Sequence, residues 1–327
     1  MSKVLVTGGA GYIGSHTVLS LHEAGYEVTV YDNLSTGFAE AVTGSAELVQ
    51  ADLSETRQLD RLMREKQFSS IIHFAASIVV PESVSHPLGY YRNNTLNTLS
   101  LIELAVHHGL GQFIFSSTAA VYGIPETIPV TESSPLEPIN PYGRSKLMDE
   151  WILQDACAAH PSLNSVILRY FNVAGADPRG RVGQSTPQAT HLIKVACRTA
   201  LGLNDSLPIF GTDYPTPDGT GIRDYIHVTD LAEAHVQALK HLEAGKSSDV
   251  FNCGYGHGYS VRQIVDAVQR VAGVELPVTI ESRRPGDPAH LVADPSKILD
   301  TFDWRPQFDD IDTIVSSALD WEKNRTY

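Results

Sequence analysis

Short apolar runs rich in β-branched and aromatic residues alternate with longer amphipathic stretches through the first half of the chain. That rhythm predicts strands joined by helical crossovers in a parallel sheet. The strands fall at 3–7, 27–31, 47–50, 70–74, 112–116 and 165–169, with a late one at 249–252. Several are almost wholly apolar, as strands covered on both faces are. Helical periodicity occupies 13–24, 56–65, 87–108 and 141–159, where Pro141 suits a first helical turn. From Gly175 the pattern changes. Gly, Pro and Asp become frequent through Gly180-Arg181-Val182-Gly183 and Tyr214-Pro215-Thr216-Pro217-Asp218-Gly219, which reads as loops over a ligand cleft. Helical periodicity returns at 228–242, and the strand at 249–252 is placed to rejoin the large sheet. The expected architecture is therefore α/β, a Rossmann-type doubly wound parallel sheet with a smaller interleaved α/β substrate-binding domain. Residues 1–174 and about 222–253 form the first unit, and about 175–221 and 254–327 the second.

Charge and cysteine content narrow the partners. Among 327 residues, 24 Lys and Arg face 38 Asp and Glu, a formal net charge of −14. This argues against nucleic acid or an anionic membrane surface, since both reward basic patches. An anionic small substrate would then need local arginines. Cys157, Cys197 and Cys253 are odd in number and widely spaced, so neither a disulfide framework nor a Cys-x-x-Cys metal site is expected. No apolar run is long enough to span a bilayer, and the N-terminus enters a strand at once. A soluble cytoplasmic protein is expected. The histidines, His107-His108 included, do not recur with metal-ligand spacing, so no catalytic metal is expected.

The loop Gly8-Gly9-Ala10-Gly11-Tyr12-Ile13-Gly14 follows the apolar run Val4-Leu5-Val6 and opens a helix. Residues without Cβ let a main chain approach a pyrophosphate, and the following helix aims free N–H groups at it. Gly8, Gly11 and Gly14 supply that geometry in the strand-loop-helix context a dinucleotide site requires. The second strand leads to Asp32, whose carboxylate would accept from the adenosine ribose hydroxyls and repel a 2′-phosphate. NAD is favoured over NADP. Asp52-Leu53 after the third strand is placed to border the adenine.

A second motif can move a proton. Tyr142 and Lys146 stand four apart in an expected helix, so they share a face. A free phenol titrates near ~10 and would need to drop by roughly 3 units to act at neutral pH. A neighbouring ammonium and a positive nicotinamide ring are groups that lower it. Ser117 and Thr118 follow the fifth strand, where open parallel sheets place ligands, and a hydroxyl there can bridge the tyrosine and a substrate oxygen.

Taken with Ser15-His16, Asp32-Asn33-Leu34, His73-Phe74-Ala75-Ala76, Tyr90-Tyr91-Arg92-Asn93-Asn94 and the run from Phe115 to Gly123, these motifs closely resemble the extended short-chain dehydrogenase/reductase family. The likeness runs through nearly the whole chain. It continues in Leu168-Arg169-Tyr170-Phe171-Asn172, the run from Asp213 to Val228, and Arg283-Arg284-Pro285-Gly286-Asp287. The late segments resemble its nucleotide-sugar 4-epimerases.

The resemblance implies that Thr118, Tyr142 and Lys146 are catalytic. It implies NAD held along Tyr12, Ile13, Asp32, Asn33, Asp52, Leu53, Phe74, Ala75, Ala76, Asn93, Ser116 and Phe171, with Tyr142 and Lys146 beside it. It also implies that Asn172, Phe210, Arg223 and Arg284 hold a UDP group, with Asp287 near its ribose. Two arginines are what a diphosphate asks for in so acidic a chain.

The implied activity is reversible 4-epimerisation of UDP-glucose and UDP-galactose through a 4-keto sugar, with hydride transfer to and from tightly bound NAD. A UDP-hexose is the implied partner. Leu96, Leu99, Ile102, Leu104 and Val106 with the Tyr142 helix could make a homodimer seam, although core packing accounts for the stripe nearly as well.

Two positions depart from the family pattern. Ile78 stands where some members carry a lysine near the cofactor. Leu291 aligns with a position whose size influences admission of N-acetylated hexoses. Epimerisation of UDP-GlcNAc, a UDP-pentose or a UDP-uronate is the alternative. A nucleotide-sugar 4,6-dehydratase would need carboxylates where this chain reads Ser117-Thr118-Ala119-Ala120, and a non-catalytic NAD sensor could dispense with Tyr142 and Lys146.

Overall fold

Val4 and Val6 point to one side of the first strand and Leu5 to the other, and all three are fully buried. The same alternation holds at Ile71 and Ile72, Phe113 and Ile114, and Ile167 and Leu168, whose side chains divide between two separate apolar clusters. Two covered faces require helices on both sides, which is why these strands are apolar throughout. Each such side chain contributes roughly 1.5–3 kcal/mol by leaving water.

The computed structural model describes residues 2–186, 190–284 and 287–327. Pro285 and Gly286 of the Arg283-to-Asp287 motif lie outside the described residues. The strands are β1 (Lys3–Thr7), β2 (Glu27–Asp32), β3 (Glu47–Gln50), β4 (Ser70–His73), β5 (Gln112–Thr118), β6 (Asn164–Tyr170), β7 (Asn172–Ala174), β8 (Leu207–Phe210), β9 (Ile222–Arg223), β10 (Tyr225–His227), β11 (Asp249–Cys253), β12 (Tyr259–Ser260), β13 (Val278–Glu281) and β14 (His290–Leu291). The helices are α1 (Tyr12–Glu23), α2 (Thr56–Lys66), α3 (Val80–Ser85), α4 (Pro87–Tyr90), α5 (Asn97–His107), α6 (Pro141–Ala159), α7 (Leu192–Ala200), α8 (Val228–Glu243), α9 (Val261–Ala272), α10 (Ser296–Thr301) and α11 (Ile311–Asn324).

Seven strands form one parallel sheet in the order β11-β6-β5-β4-β1-β2-β3. The chain reverses direction across the sheet between β1 and β4, and a crevice opens above their carboxyl ends, where doubly wound sheets bind ligands. The remaining strands make small pairings: β7 with β10, β9 with β12 and β14, and β8 with β13.

One helix departs from its expected form. The stretch at 87–108 is interrupted by a π-helical turn, Tyr91–Leu96. Asn94 accounts for it: its carboxamide accepts from Ser77 N (2.8 Å) and donates to Ser77 O and Ser145 Oγ (both 3.0 Å). The wider turn thus ties the segment after β4 to helix α6, and π-turns are frequent at functional sites. Strand β5 also runs two residues beyond its expected end, so Ser117 and Thr118 belong to the strand itself.

Candidate active site

The glycine loop crosses the crevice mouth. A Cβ on Gly8, whose φ is 71°, would stand 2.5 Å from Ala75 N, and one on Gly14 would stand 2.2 Å from Gly8 O. Neither position admits a side chain, because loop, helix and the segment after β4 touch backbone to backbone. Gly11 differs: a Cβ there would meet only Gly8 O, at 3.3 Å. Its open side faces no protein wall. As N-cap of α1 it supplies no side-chain cap, and the first turn carries no acidic residue, so the helix's leading N–H groups are left for an anion.

Asp32 is buried at the end of β2, its Oδ2 accepting from Ala10 N (2.9 Å) and its Oδ1 from Leu34 N (2.8 Å). Burial raises its pKa, and these two bonds oppose the rise. Asn33 donates to Asp52 Oδ2 (2.6 Å), joining the ends of β2 and β3. Phe74 packs against His235 with ring centroids 4.8 Å apart, and Asn93 donates to Ser77 Oγ (2.9 Å). The open glycine, the uncapped helix end and the fixed carboxylate fit a dinucleotide, with Gly8, Gly11, Tyr12, Ile13, Gly14, Asp32, Asn33, Asp52, Phe74, Ala75, Ala76 and Asn93 at one end of the sheet. Leu53, after β3, and Phe171, after β6, are buried in apolar clusters. The Ser116 side chain is fully buried, with its Oγ 2.8 Å from His235 Nε2.

Asn140 caps α6 by accepting from Gly143 N (2.8 Å), and Pro141 begins the helix. This sets the phase that turns Tyr142, Lys146, Asp149 and Glu150 inward, all buried. Lys146 Nζ donates to Ser116 O (2.9 Å) and stands 4.7 Å from the Phe115 ring centroid. Thr118 Oγ1 accepts from Ala120 N (3.1 Å) at the end of β5.

The spacing predicts a phenol lowered by the Lys146 ammonium. In the chain by itself the balance runs the other way. Burial pushes Tyr142 up to about 12, the adjacent Thr118 hydroxyl pulls it down, and the Asp149 charge pushes it up again. The physical reason is that desolvation of a phenolate outweighs a single neutral donor.

Behind Thr118 lies a buried network the sequence reading overlooks. Arg169 donates from Nε (3.0 Å) and Nη2 (2.6 Å) to the two oxygens of Glu150, and Ser117 Oγ donates to the same carboxylate. Arg169 Nη1 also reaches Tyr122 OH (3.1 Å), and Tyr122 OH donates to Asn252 Oδ1 (2.6 Å). The end of β5 is thereby tied to β6, α6 and β11. An acid eight residues after Tyr142 on the same helical stripe is the signal that could have found it.

The arginines named from the sequence lie on the small strands outside the main sheet or beside them. Arg284 lies over the Phe210 ring, 3.8 Å from its centroid, while Arg223 of β9 donates to Ile222 O (2.8 Å). Arg283 is spent on Asp213 (2.7 Å). Among the described residues neither Arg223 nor Arg284 makes an ion pair. Asn172 is exposed at the start of β7, and the charge of Asp287 is felt at Tyr214. Leu291 is buried, pairing with Arg223 across β14 and β9, and Ile78 is exposed. Tyr12 OH donates to Gly175 O (2.6 Å), fastening the glycine-loop helix to the segment that follows β7.

One group of side chains with metal-ligand chemistry comes together away from the expected site. Asp60, His107 and His108 present ligand atoms within 4.8 Å of one another. Asp60 there already accepts from His108 Nε2 and Arg64 Nη2, both at 2.8 Å. The group lies where α5 ends, ahead of β5 and away from the crevice. Sequence spacing misses it because Asp60 comes from α2.

A family model for the "NAD dependent epimerase/dehydratase family" matches residues 4–254. The chain belongs to this family. It is 56% identical over 322 residues to the UDP-glucose 4-epimerase of Azospirillum brasilense, covering 98% of this chain and 92% of that protein. The crystal structure of UDP-glucose 4-epimerase from Brucella ovis in complex with NAD superposes with a TM-score of 0.94 at 45% identity, covering 98% of each chain. The Bifidobacterium longum UDP-glucose 4-epimerase, in complex with NAD+ and UDP, gives a TM-score of 0.94 at 39% identity, again over 98% of each chain. The seven-stranded sheet and flanking helices are thus the Rossmann-like architecture of these epimerases.

Proposed function

We propose that the chain interconverts UDP-glucose and UDP-galactose by inverting C4 through a transient 4-keto sugar, with NAD held throughout the cycle. The observation that carries the reading is the placement of Tyr142, Lys146 and Thr118 at the carboxyl end of β5, across the crevice from the open glycine loop. Likeness over nearly the full length to UDP-glucose 4-epimerases, one with NAD and UDP bound, supports it.

NAD, when bound, supplies the acceptor and later the donor of the C4 hydrogen with its electron pair. The chain supplies the rest. Tyr142 Oη takes the proton of the sugar 4-hydroxyl and returns it, Thr118 Oγ1 orients the exchange, and Lys146 sets the charge beside the phenol. Arg223 and Arg284 grip the diphosphate, Arg284 braced on Phe210, with Asn172 and Asp287 completing the nucleotide side. Such an anchor lets the hexose turn over and present its other face. Gly8, Gly11, Gly14 and Asp32 keep the cofactor in place, since its loss in mid-cycle would strand a ketone. Residues 1–174 and about 222–253 form the cofactor unit in this scheme, and the rest the nucleotide-sugar unit.

The test is conversion of UDP-galactose by purified protein with no NAD added, followed by release and quantification of bound nucleotide. Turnover with about one co-purified NAD per chain is expected. No conversion even with added NAD would overturn the proposal.

No helix among the described residues is long and apolar enough to cross a membrane, and we place the enzyme in the cytoplasm. We also propose a homodimer across α5 and α6. Within the stripe named from sequence, Ile102 is core, Leu99, Leu104 and Val106 are half-buried, and Leu96 is 53% exposed. The exposed apolar surface extends beyond that stripe to Leu88 (77%) and Trp151 (53%). A seam there would remove these side chains from water. Light scattering is expected to give twice the chain mass, and Trp151→Arg the single mass. A wild-type monomer at micromolar concentration would refute the dimer.

A further inference from the structure

Asp149 is the anomaly of the site helix. It lies three residues after Lys146 on the inward face of α6, is 1% exposed, and neither carboxylate oxygen has a hydrogen-bond partner. A buried carboxylate without donors costs several kcal/mol unless a charge compensates it. Charged compensation is scarce: Arg169 is committed to Glu150, and the Thr95 hydroxyl, 3.4 Å from Ser145 O, offers Asp149 at most a neutral donor. Lys146 in turn makes no ion pair among the described residues and donates only to the Ser116 carbonyl. The buried charges around α6 therefore resolve into Arg169 with Glu150 in contact, and Lys146 with Asp149 through space.

We propose that Asp149 is the buried counter-ion of Lys146, a positioning residue that keeps the lysine an ammonium beside Tyr142 during epimerisation. The proposal rests on the epimerase reading above. Three relations agree with it. Burial pushes Lys146 down, and the charges of Asp149 and then Glu150 hold it up. Burial pushes Asp149 up to about 7 against the pull of Lys146 and Thr95, with Glu150 adding to the rise, so the carboxylate carries its full charge only toward the alkaline side of neutrality. Asp149 also makes Tyr142 harder to ionise. From the packed elements, the other titratable neighbours are His73 on β4, which burial and the Lys146 charge hold at about 3, Tyr90 on α4, and Arg169 and Tyr170 on β6. His73 is therefore neutral across the working range. Arg169 remains charged, and Tyr90 and Tyr170 are pushed above the phenol range mainly by burial, so none of the four titrates there.

In the NAD-loaded enzyme, where the positive nicotinamide ring would bring the phenol below the value that burial alone sets, removing the carboxylate lowers both pKa values that bound activity. The phenol ionises more readily, moving the acid limb of the kcat/KM profile down, and the ammonium loses its proton sooner, moving the alkaline limb down. A nearby opposite charge is worth about 1 unit or more. Asp149→Asn is thus expected to move the whole bell toward acid by about one unit, and Asp149→Glu, which keeps the charge, to restore it. Asp149→Val, of similar size and also uncharged, provides the same reading if the asparagine variant fails to fold. A neutral variant that folds, retains NAD and turns over with the wild-type profile would overturn the proposal. Wild-type turnover in the same assay separates the two claims: an inactive wild type sinks the epimerase reading, whereas an active wild type with an unmoved variant profile sinks only the counter-ion.

Discussion

Tyr142→Phe is expected to slow conversion of UDP-galactose by about 10³-fold while leaving NAD content and UDP affinity near wild type. The substitution deletes one oxygen from a side chain that is 8% exposed and keeps the ring that packs α6. Proton transfer by a positioned group contributes about 10²–10⁴-fold, and no second phenol or imidazole on α6 stands ready to replace it. The proposed UDP contacts lie on other elements: Arg223 on β9, Arg284 beside Phe210, and Asn172 on β7. Inhibition by UDP should therefore be unchanged, and nucleotide released by acid should still approach one NAD per chain. Turnover within a few-fold of wild type would exclude Tyr142 as the proton-transfer group. Loss of NAD together with activity would instead assign the residue a structural part.

The second large effect is on stability. Arg169→Met would leave the Glu150 carboxylate, 0% exposed, with Ser117 Oγ as its remaining donor. Breaking a buried pair from one side costs about 3–5 kcal/mol, because an uncompensated charge stays behind. In a chain of this size that corresponds to a fall in Tm on the order of 5–10 °C. The double variant Arg169→Met with Glu150→Met removes both charges and is expected to recover much of the loss. Calorimetry of the two proteins decides the matter. Equal stability of the single variant and wild type would mean that water reaches Glu150 and the network is not sealed. Since Ser117 and Thr118 are adjacent in β5, the single variant should also lose activity beyond what its unfolded fraction explains.

The strands of the large sheet were legible because a doubly covered strand must be apolar on both faces, and Val4-Leu5-Val6 or Phe113-Ile114-Phe115 can be little else. The start of α6 was legible from Asn140-Pro141, a cap and a first-turn proline. What escaped was tertiary in origin. The π-turn at Tyr91–Leu96 is imposed by bonds from Asn94 to Ser77 and Ser145, and hydrophobic periodicity carries no trace of it. Strands of two or three residues such as Ile222–Arg223 and His290–Leu291 are too short to leave a pattern. Glycine spacing and the Tyr-x-x-x-Lys pair named the two halves of the proposed site. Arg284 and Phe210 depended on family resemblance, and nothing in the sequence pattern singles out Asp149. Its burial follows from the rotational phase of α6, which only the packed structure fixes.

Strand β11 has a bearing on how the protein is made. It joins the sheet beside β6, register Val250 to Ile167, yet it is encoded after the entire first loop region and α8. A growing chain that has completed β6 has six strands with one flank unfilled. Roughly 80 further residues must leave the ribosome before that flank is closed, on the order of 4–16 seconds at ~5–20 residues per second. Over that interval β6 is an open pairing edge, the kind that captures foreign strands. Yield in cells should therefore be more sensitive to chaperone supply, and to pauses placed between codons 171 and 253, than the stability of the finished enzyme would suggest.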